Sequence, residues 1–248
     1  MTIKHPSQED IPALRDLWQE AFGDEDAYLD AFFANAFAAN RCLLVEGAEA
    51  ACYWLDCACR GQKTAYLYAV ATAKRSRGQG LCRGLLEEIK KVLKNQDYAG
   101  ILLVPGSESL RRMYQKLGFE TATAVRELSL PAAAPVPLQK LTLAGYCALR
   151  ETLLPEGAAI EGAEIMAFLA TRAEFYRSGD TVCACIREVS HLYIPELLGD
   201  DALASSIAAA LGCAHVTLRT PGSGKPFAMY CPLWDTPAPT HFSFALDW

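Results

Sequence analysis

Val70-Ala71-Thr72-Ala73-Lys74-Arg75-Ser76-Arg77-Gly78-Gln79-Gly80-Leu81-Cys82-Arg83 is the stretch on which the fold turns. Before it, residues 65–71 form an apolar run of strand length. After it, Leu81, Leu85, Ile89 and Val92 recur at helical spacing over residues 80–95, with Arg83, Glu87, Lys90 and Lys94 on the opposite face. A strand, a short basic loop and a helix in succession aim unpaired helix N–H groups, and the positive end of the helix dipole, at whatever lies over the loop. Gly78 and Gly80 remove Cβ atoms where backbone amides converge, and Arg75 and Arg77 add charge. The expectation is a site for a diphosphate.

Two other phosphate loops are excluded. Gly78-Gln79-Gly80-Leu81-Cys82-Arg83 lacks the third glycine of the dinucleotide fingerprint, and no GxxxxGKS/T stretch occurs. In Gly222-Ser223-Gly224-Lys225-Pro226 a proline stands where a magnesium-binding hydroxyl belongs, so that segment reads as a hairpin connection. The basic loop is also an island. The chain's net charge is −6, yet Lys74, Arg75, Arg77, Arg83, Lys90, Lys91 and Lys94 are opposed over their span only by Glu87 and Glu88. That balance argues against a nucleic-acid coat and for one localised anion site.

The 10 cysteines raise the question of disulfides or metal. Cys57 and Cys59, like Cys183 and Cys185, sit two apart in strand-like runs, and no CxxC pair or Cys/His cluster has zinc spacing. They read as small buried hydrophobes, and no metal is expected. No apolar run is long enough for a membrane span and the N-terminus is polar at once, so a cytoplasmic protein without membrane contact is expected.

Outward from the loop, helices are expected at 7–22, with Ser7 as cap and Gly23 as stop, and at 25–38. Strands follow at 42–45, 50–59 and 65–71. Beyond the helix of the basic loop come a strand at 101–104 and a helix capped by Ser107 with the stripe Leu110, Met113, Tyr114 and Leu117. Gly118 ends it, and a strand is expected at 119–130. Pro131, Pro135 and Pro137 mark a linker over 131–138 between a domain at 1–130 and a second α/β half at 139–248. In that half helices are expected near 142–153, 161–177 and 201–211, and strands near 181–188, 190–197, 213–219, 226–233 and 241–247. Their order echoes the first half, which suggests a divergent repeat. Gly199-Asp200-Asp201 before the helix at 201–211 is acidic and repels a diphosphate, so a single phosphate site is expected.

Val70-Ala71-Thr72 followed by Arg75-Ser76-Arg77-Gly78-Gln79-Gly80 resembles the acetyl-CoA signature of the GNAT superfamily of N-acetyltransferases, R/Q-x-x-G-x-G/A after the fourth strand. Downstream, Ser109-Leu110-Arg111-Arg112-Met113-Tyr114-Gln115-Lys116-Leu117-Gly118-Phe119 is similar to the family's closing helix and its Tyr-x-Lys-Leu-Gly-Phe ending. The resemblance covers 1–130. It implies a mixed central sheet with flanking helices, acetyl-CoA or another acyl-CoA as co-substrate, and a small or peptidic amine as acceptor. It implies that the backbone of Val70, Ala71 and Thr72 bonds the pantetheine arm, with Ser109 a further contact, and that the amides of Arg75 through Gly80 and Leu81 hold the diphosphate. It also implies that the amide of Val70 or Ala71 polarises the thioester carbonyl and that Tyr114, as general acid, protonates the leaving thiolate.

The base is not legible. Thr64–Thr72 holds no acid, which leaves Asp56, Glu120 or, as in some two-domain relatives, the terminal carboxylate, here on Trp248. Asp56 and Glu120 otherwise read as solvated surface carboxylates, the Arg83, Lys90 and Lys94 face as solvated helix, and Trp18, Trp54 and Trp234 as core or interface anchors. The second half is expected to shape the acceptor pocket or a homodimer contact. A CoA-binding sensor or scaffold without turnover is the competing reading.

Overall fold

A computed structural model describes residues 2–242 and Leu246. The first half runs β1 (Ile3–Lys4), α1 (Ile11–Phe22), α2 (Asp26–Asn35), β2 (Cys42–Val45), β3 (Ala50–Cys59), β4 (Gln62–Thr72), α3 (Leu81–Asn95), β5 (Gly100–Leu103), α4 (Glu108–Gln115), β6 (Glu120–Thr121) and β7 (Ala124–Pro131). The second runs β8 (Gln139–Leu141), α5 (Leu143–Leu153), β9 (Ala159–Glu161), α6 (Ala163–Leu169), β10 (Glu174–Ser178), β11 (Thr181–Glu188), β12 (His191–Leu198), α7 (Ala204–Ala210), β13 (His215–Pro221), β14 (Lys225–Pro226) and β15 (Met229–Pro232).

The result is a mixed α/β protein with two mixed sheets. One has the order β1-β2-β3-β4-β5-β15-β6, with β9 added beside β3; the other is β14-β7-β13-β12-β11-β10-β8. Each half follows one plan: two helices, an antiparallel meander, then a helical crossover to a parallel strand, β4 to β5 through α3 and β12 to β13 through α7. Even a bulge is repeated. Cys52 on β3 opposes both Ala69 and Val70, because Ala51 pairs with Ala71 and Tyr53 with Tyr68. Cys185 on β11 likewise opposes Ile194 and Pro195, because Ala184 pairs with Glu196 and Ile186 with Tyr193.

The strands do not stay with their own half. β15 lies between β5 and β6, and β9 extends β3, so the second half completes the first sheet. In return β7 pairs with β13 and β14 in the second sheet. The single strand expected at 119–130 is therefore two, separated at Ala122–Thr123 and serving different sheets. Gly222–Lys225 is not a hairpin connection either. β13 and β14 are successive partners of the same strand, and the loop between them is an excursion pressed onto β7, where a Cβ on Gly224 would come within 2.5 Å of the Val125 carbonyl. The helix expected at 161–177 stops at Leu169, and β10 occupies its second half. Of the strand expected at 241–247, His241 forms an isolated bridge with Ala158, and residues 243–245 and 247 lie outside the described residues.

The helices bury only part of the expected stripes: Phe22 of α1 and Leu110 of α4 are 49% and 40% exposed, and in α3 Leu86 and Leu93 are buried where Leu81 and Val92 are only partly so. α3 turns Leu85, Leu86, Ile89 and Leu93 onto the first sheet, each side chain contributing roughly 2 kcal/mol of apolar burial. α1 buries Leu14, Leu17 and Trp18 on the other face and ends at Gly23, whose φ of +75° suits a left-handed cap. All 10 cysteines are free thiols, most of them buried.

The two sheets, through β9 of the first and β12 of the second, are also tied by buried charge. Arg150 on α5 donates through Nε (2.6 Å) and Nη2 (3.1 Å) to the two oxygens of Glu196 on β12, and through Nη2 to Glu161 on β9. The three side chains are 3%, 1% and 1% exposed for Arg150, Glu161 and Glu196. Tyr146 donates a further bond to Glu196. Burial lifts the Glu161 carboxyl to about 7, against the pull of Arg150, because two carboxylates share one cation in a dry interior.

Candidate functional site

The site begins where β4 leaves its neighbour. β4 pairs in parallel with β5 only over Thr64, Ala65 and Tyr66; beyond that the strands part. The bulge at Ala69–Val70 helps turn β4 away, and Ala69 holds a φ of +48°, uncommon outside glycine. From Leu67 to Thr72 the β5 side of β4 therefore has no strand partner among the described residues, which leaves a slot for the amides of an extended ligand. Val70, Ala71 and Thr72 lie in this open section.

The chain then enters the loop. The Ala73 N–H donates to Glu49 O (2.9 Å), Lys74–Ser76 make one tight turn and Ser76 is buried. Arg77 Nε donates to Thr72 O (3.2 Å) and Gln79 Nε2 to Arg75 O (3.4 Å), so the loop curls on itself. Gly78 and Gly80 have φ of +78° and +79°, and a Cβ at either would meet nothing within 4 Å. Their glycine identity follows from the left-handed backbone, and the space above them is open. Gly80 caps α3, whose first helical bond at this end runs from Gly84 N–H to Gly80 O (3.1 Å). The N–H groups of Leu81, Cys82 and Arg83 thus lack a helical acceptor and face outward beside exposed Arg75 and Arg77. No carboxylate belongs to the loop, and the arrangement fits a diphosphate. Burial pushes the Cys82 thiol up to about 11, which leaves it protonated at neutral pH.

On the far face of α3, Arg83 and Lys94 are exposed as expected, while Lys90 is partly buried. Lys90 Nζ donates to Leu117 O at the end of α4 and lies over the Phe119 ring, and Lys94 lies 4.5 Å over Trp234. Trp234, read as a core or interface anchor, is 50% exposed.

α4 begins at Ser107, whose Oγ accepts from the Leu110 N–H (3.2 Å) and lies 3.2 Å from Ser109 Oγ on the exposed side. Tyr114 is 5% exposed and packs edge-on against Phe119 at 5.7 Å. Gly118 closes the helix with a φ of +82°, and the Phe119 N–H returns to Tyr114 O (3.1 Å).

A cavity of about 640 Å³ reaches Ala69 and Val104. Trp18, Tyr28 and Tyr68 form an aromatic wall; Arg172, Arg219, Lys225 and Phe227 come from the second half. Neither Tyr114 nor residues 75–80 line it. Asp56 and Glu120 do not line it either. Asp56 is no solvated surface group: it accepts from Arg41 Nη1 (2.8 Å) and from the Tyr98 hydroxyl. The carboxylates that do line the cavity are Asp24, Glu108 and Glu127. Trp248 lies outside the described residues. Sequence reasoning missed most of these lining groups, because no motif announces them and the exchanged strands bring them in.

Residues 2–122 match the model of the acetyltransferase (GNAT) domain. Among solved structures, a GCN5-related N-acetyltransferase from Anabaena variabilis superposes with a TM-score of 0.72 at 19% identity, over 94% of this chain and 72% of that one. One from Kribbella flavida gives 0.71 at 14% identity, over 92% and 70%, and one from Sphaerobacter thermophilus gives 0.57 at 14%, over 98% of both chains. At these identities the likeness is one of fold. No curated protein sequence matches the chain. With the family model spanning the β4 slot, the glycine loop and α4, the chain carries in residues 2–122 a domain of the GNAT acetyltransferase family.

Proposed function

We propose that the protein moves an acetyl or other short acyl group from acyl-CoA to a primary amine. The observation that carries this reading is the continuity of the open β4 edge with the glycine loop at the N-terminus of α3. An extended arm lying along Val70, Ala71 and Thr72 leads to a diphosphate held by the amides of Arg75 through Leu81, with Ser76 inside the curl and Ser109 beside it. A thioester then sits at the gap, where the Val70 or Ala71 N–H bonds the carbonyl oxygen as it gains charge. The amine attacks the carbonyl carbon from the cavity and yields its surplus proton to solvent, the carbon–sulfur bond breaks and Tyr114 gives its proton to the departing sulfur, regaining one from solvent. On this reading residues 1–130 hold the acyl donor, 131–138 link the halves and 139–248 shape the acceptor side.

A CoA-binding sensor without turnover is the second reading. It is favoured by the lack of any carboxylate from Thr64 to Thr72 and by the engagement of Asp56 with Arg41 and Tyr98. Thiol release with an amine panel, alongside calorimetry of CoA binding, separates the two. The transferase reading expects turnover that falls about a hundredfold in Tyr114→Phe with CoA affinity retained. Binding without release for every amine establishes the sensor, and no heat on adding CoA ends both.

A further inference from the structure

Two successive amides at the entry of the glycine loop are held by other elements. The Ala73 N–H donates to Glu49 O (2.9 Å), in the turn between β2 and β3. The Lys74 N–H donates to the Glu20 carboxylate on α1 (2.5 Å), 54 residues away in sequence. Glu20 is exposed, and nothing around it along the chain announces the contact. Its helix is held on the first sheet by Leu14, Leu17 and Trp18, each at most 5% exposed, so the carboxylate is carried on a packed element. Lys74 in turn opens the tight turn Lys74–Ser76, at the position whose amide a turn leaves without an internal acceptor. Glu20 therefore caps that turn from outside, as a side-chain oxygen caps a helix.

By charge alone an acid is the wrong residue for this place. The loop brings together Lys74, Arg75 and Arg77, and a carboxylate bonded to its backbone offsets part of the field that an anion meets there. What the acid supplies instead is shape. Gly78 and Gly80 sit at φ of +78° and +79°, and glycines hold such a curl loosely. The loop's own side-chain bonds, Arg77 Nε to Thr72 O and Gln79 Nε2 to Arg75 O, are longer at 3.2 Å and 3.4 Å and end on neutral carbonyls. The bond to Glu20 is short and charge-assisted, the stronger kind. Resting on the reading that this loop seats the diphosphate of acyl-CoA, we infer that Glu20 is a positioning residue of the donor site. Its carboxylate fixes the Lys74 amide and, through that backbone, the angle at which the loop leads into Gly78–Gly80 and α3.

Charge and shape predict opposite signs. Removing a negative charge beside an anion site tightens the anion, whereas losing the bond to Lys74 loosens the loop and weakens it. Calorimetry of CoA compares the wild type with Glu20→Ala, Glu20→Gln and Asp16→Ala, the last an exposed acid one turn earlier on α1. Glu20→Ala is expected to bind CoA about five- to tenfold more weakly. Glu20→Gln keeps an oxygen for the amide and drops the charge, so it binds within about twofold of the wild type or tighter. Asp16→Ala binds no more weakly than the wild type. Without ligand, the Lys74 amide should exchange with solvent faster in Glu20→Ala than in the wild type or Glu20→Gln, as read by NMR. In turnover, Glu20→Ala should raise KM for acetyl-CoA at unchanged kcat and leave kcat/KM for S-acetylpantetheine, which has no diphosphate, as it was. A general loss of stability would not separate the two donors. CoA affinity in Glu20→Ala at or above that of the wild type, equal weakening in both Glu20 variants, or Lys74 exchange that alanine does not change overturns the inference and leaves the donor reading intact. No heat from CoA with the wild type overturns the donor reading and the inference with it.

Discussion

Replacing Arg150 with methionine is the most direct probe of how the two sheets hold together, since the arginine bridges β9 of the first to β12 of the second. The guanidinium bonds both Glu161 and Glu196, all three side chains being at most 3% exposed. Methionine fills much of the space but leaves two carboxylates buried without their counter-charge. Breaking a buried pair in this way costs about 3–5 kcal/mol, and two stranded acids place this case at the upper end. For a chain of this size that is a fall in Tm of roughly 6–20 °C. The loss must also depend on pH, because the stranded carboxylates escape part of the cost by taking protons. Urea melts followed by tryptophan fluorescence at about pH 5.5 and about pH 8 would measure both effects, with the larger loss expected at the higher pH. A loss below about 1 kcal/mol, or one equal at both pH values, would refute the view that one guanidinium neutralises a dry acidic pair.

Three further outcomes follow from the same geometry. Glu161 titrates near 7 in the fold against 4.5 for the free side chain, so its contribution to stability is full below pH 4.5 and is lost as pH rises through about 7. Glu161→Gln should flatten the Tm profile over that window, and an unchanged slope would count against the assignment. Gly80→Ala places a Cβ in open space but holds alanine at a φ of +79°, so denaturation should show a loss of about 1 kcal/mol. Calorimetry should show weaker CoA binding as well, since relaxing that angle turns the first amides of α3. Gly100→Ala would bring a Cβ to 2.1 Å from the Tyr230 hydroxyl on β15, and the rigid ring cannot move aside cheaply. A destabilisation of about 2 kcal/mol is expected in urea melts, and a neutral result would mean that β15 is held more loosely than its register implies.

What the sequence made legible is what depends on neighbours along the chain. The loop at 73–80, Leu85 and Ile89 of the α3 stripe, the Ser107 cap and the Leu117-Gly118-Phe119 ending are local patterns, and each stands where its spacing put it. The long helix expected at 161–177 failed because the turn at 170–173, Ala-Thr-Arg-Ala, holds no glycine or proline to announce the change from helix to strand. The strand at 119–130 failed for a different reason. Alternation marks a residue as strand but carries no information about which sheet receives it, and Ala122–Thr123 gives no sign of a switch. The cavity was out of reach for the same cause: Arg172, Arg219 and Lys225 are far from the glycine loop in sequence, and the fold brings them to the cavity that reaches Ala69. Asp56 looked like a surface acid because its partners, Arg41 and Tyr98, are met only through the sheet and the start of β5.

The seat of β15 between β5 and β6 bears on how the polypeptide is made. As the nascent chain leaves the ribosome, β5 emerges with one flank bare, and the strand that covers it, residues 229–232, appears only after every strand of the second sheet. Until then the first sheet carries an open seam, at which another growing chain can attach or a chaperone can wait. Premature termination anywhere before β15 would leave that seam unsealed, however complete the glycine loop and its helix.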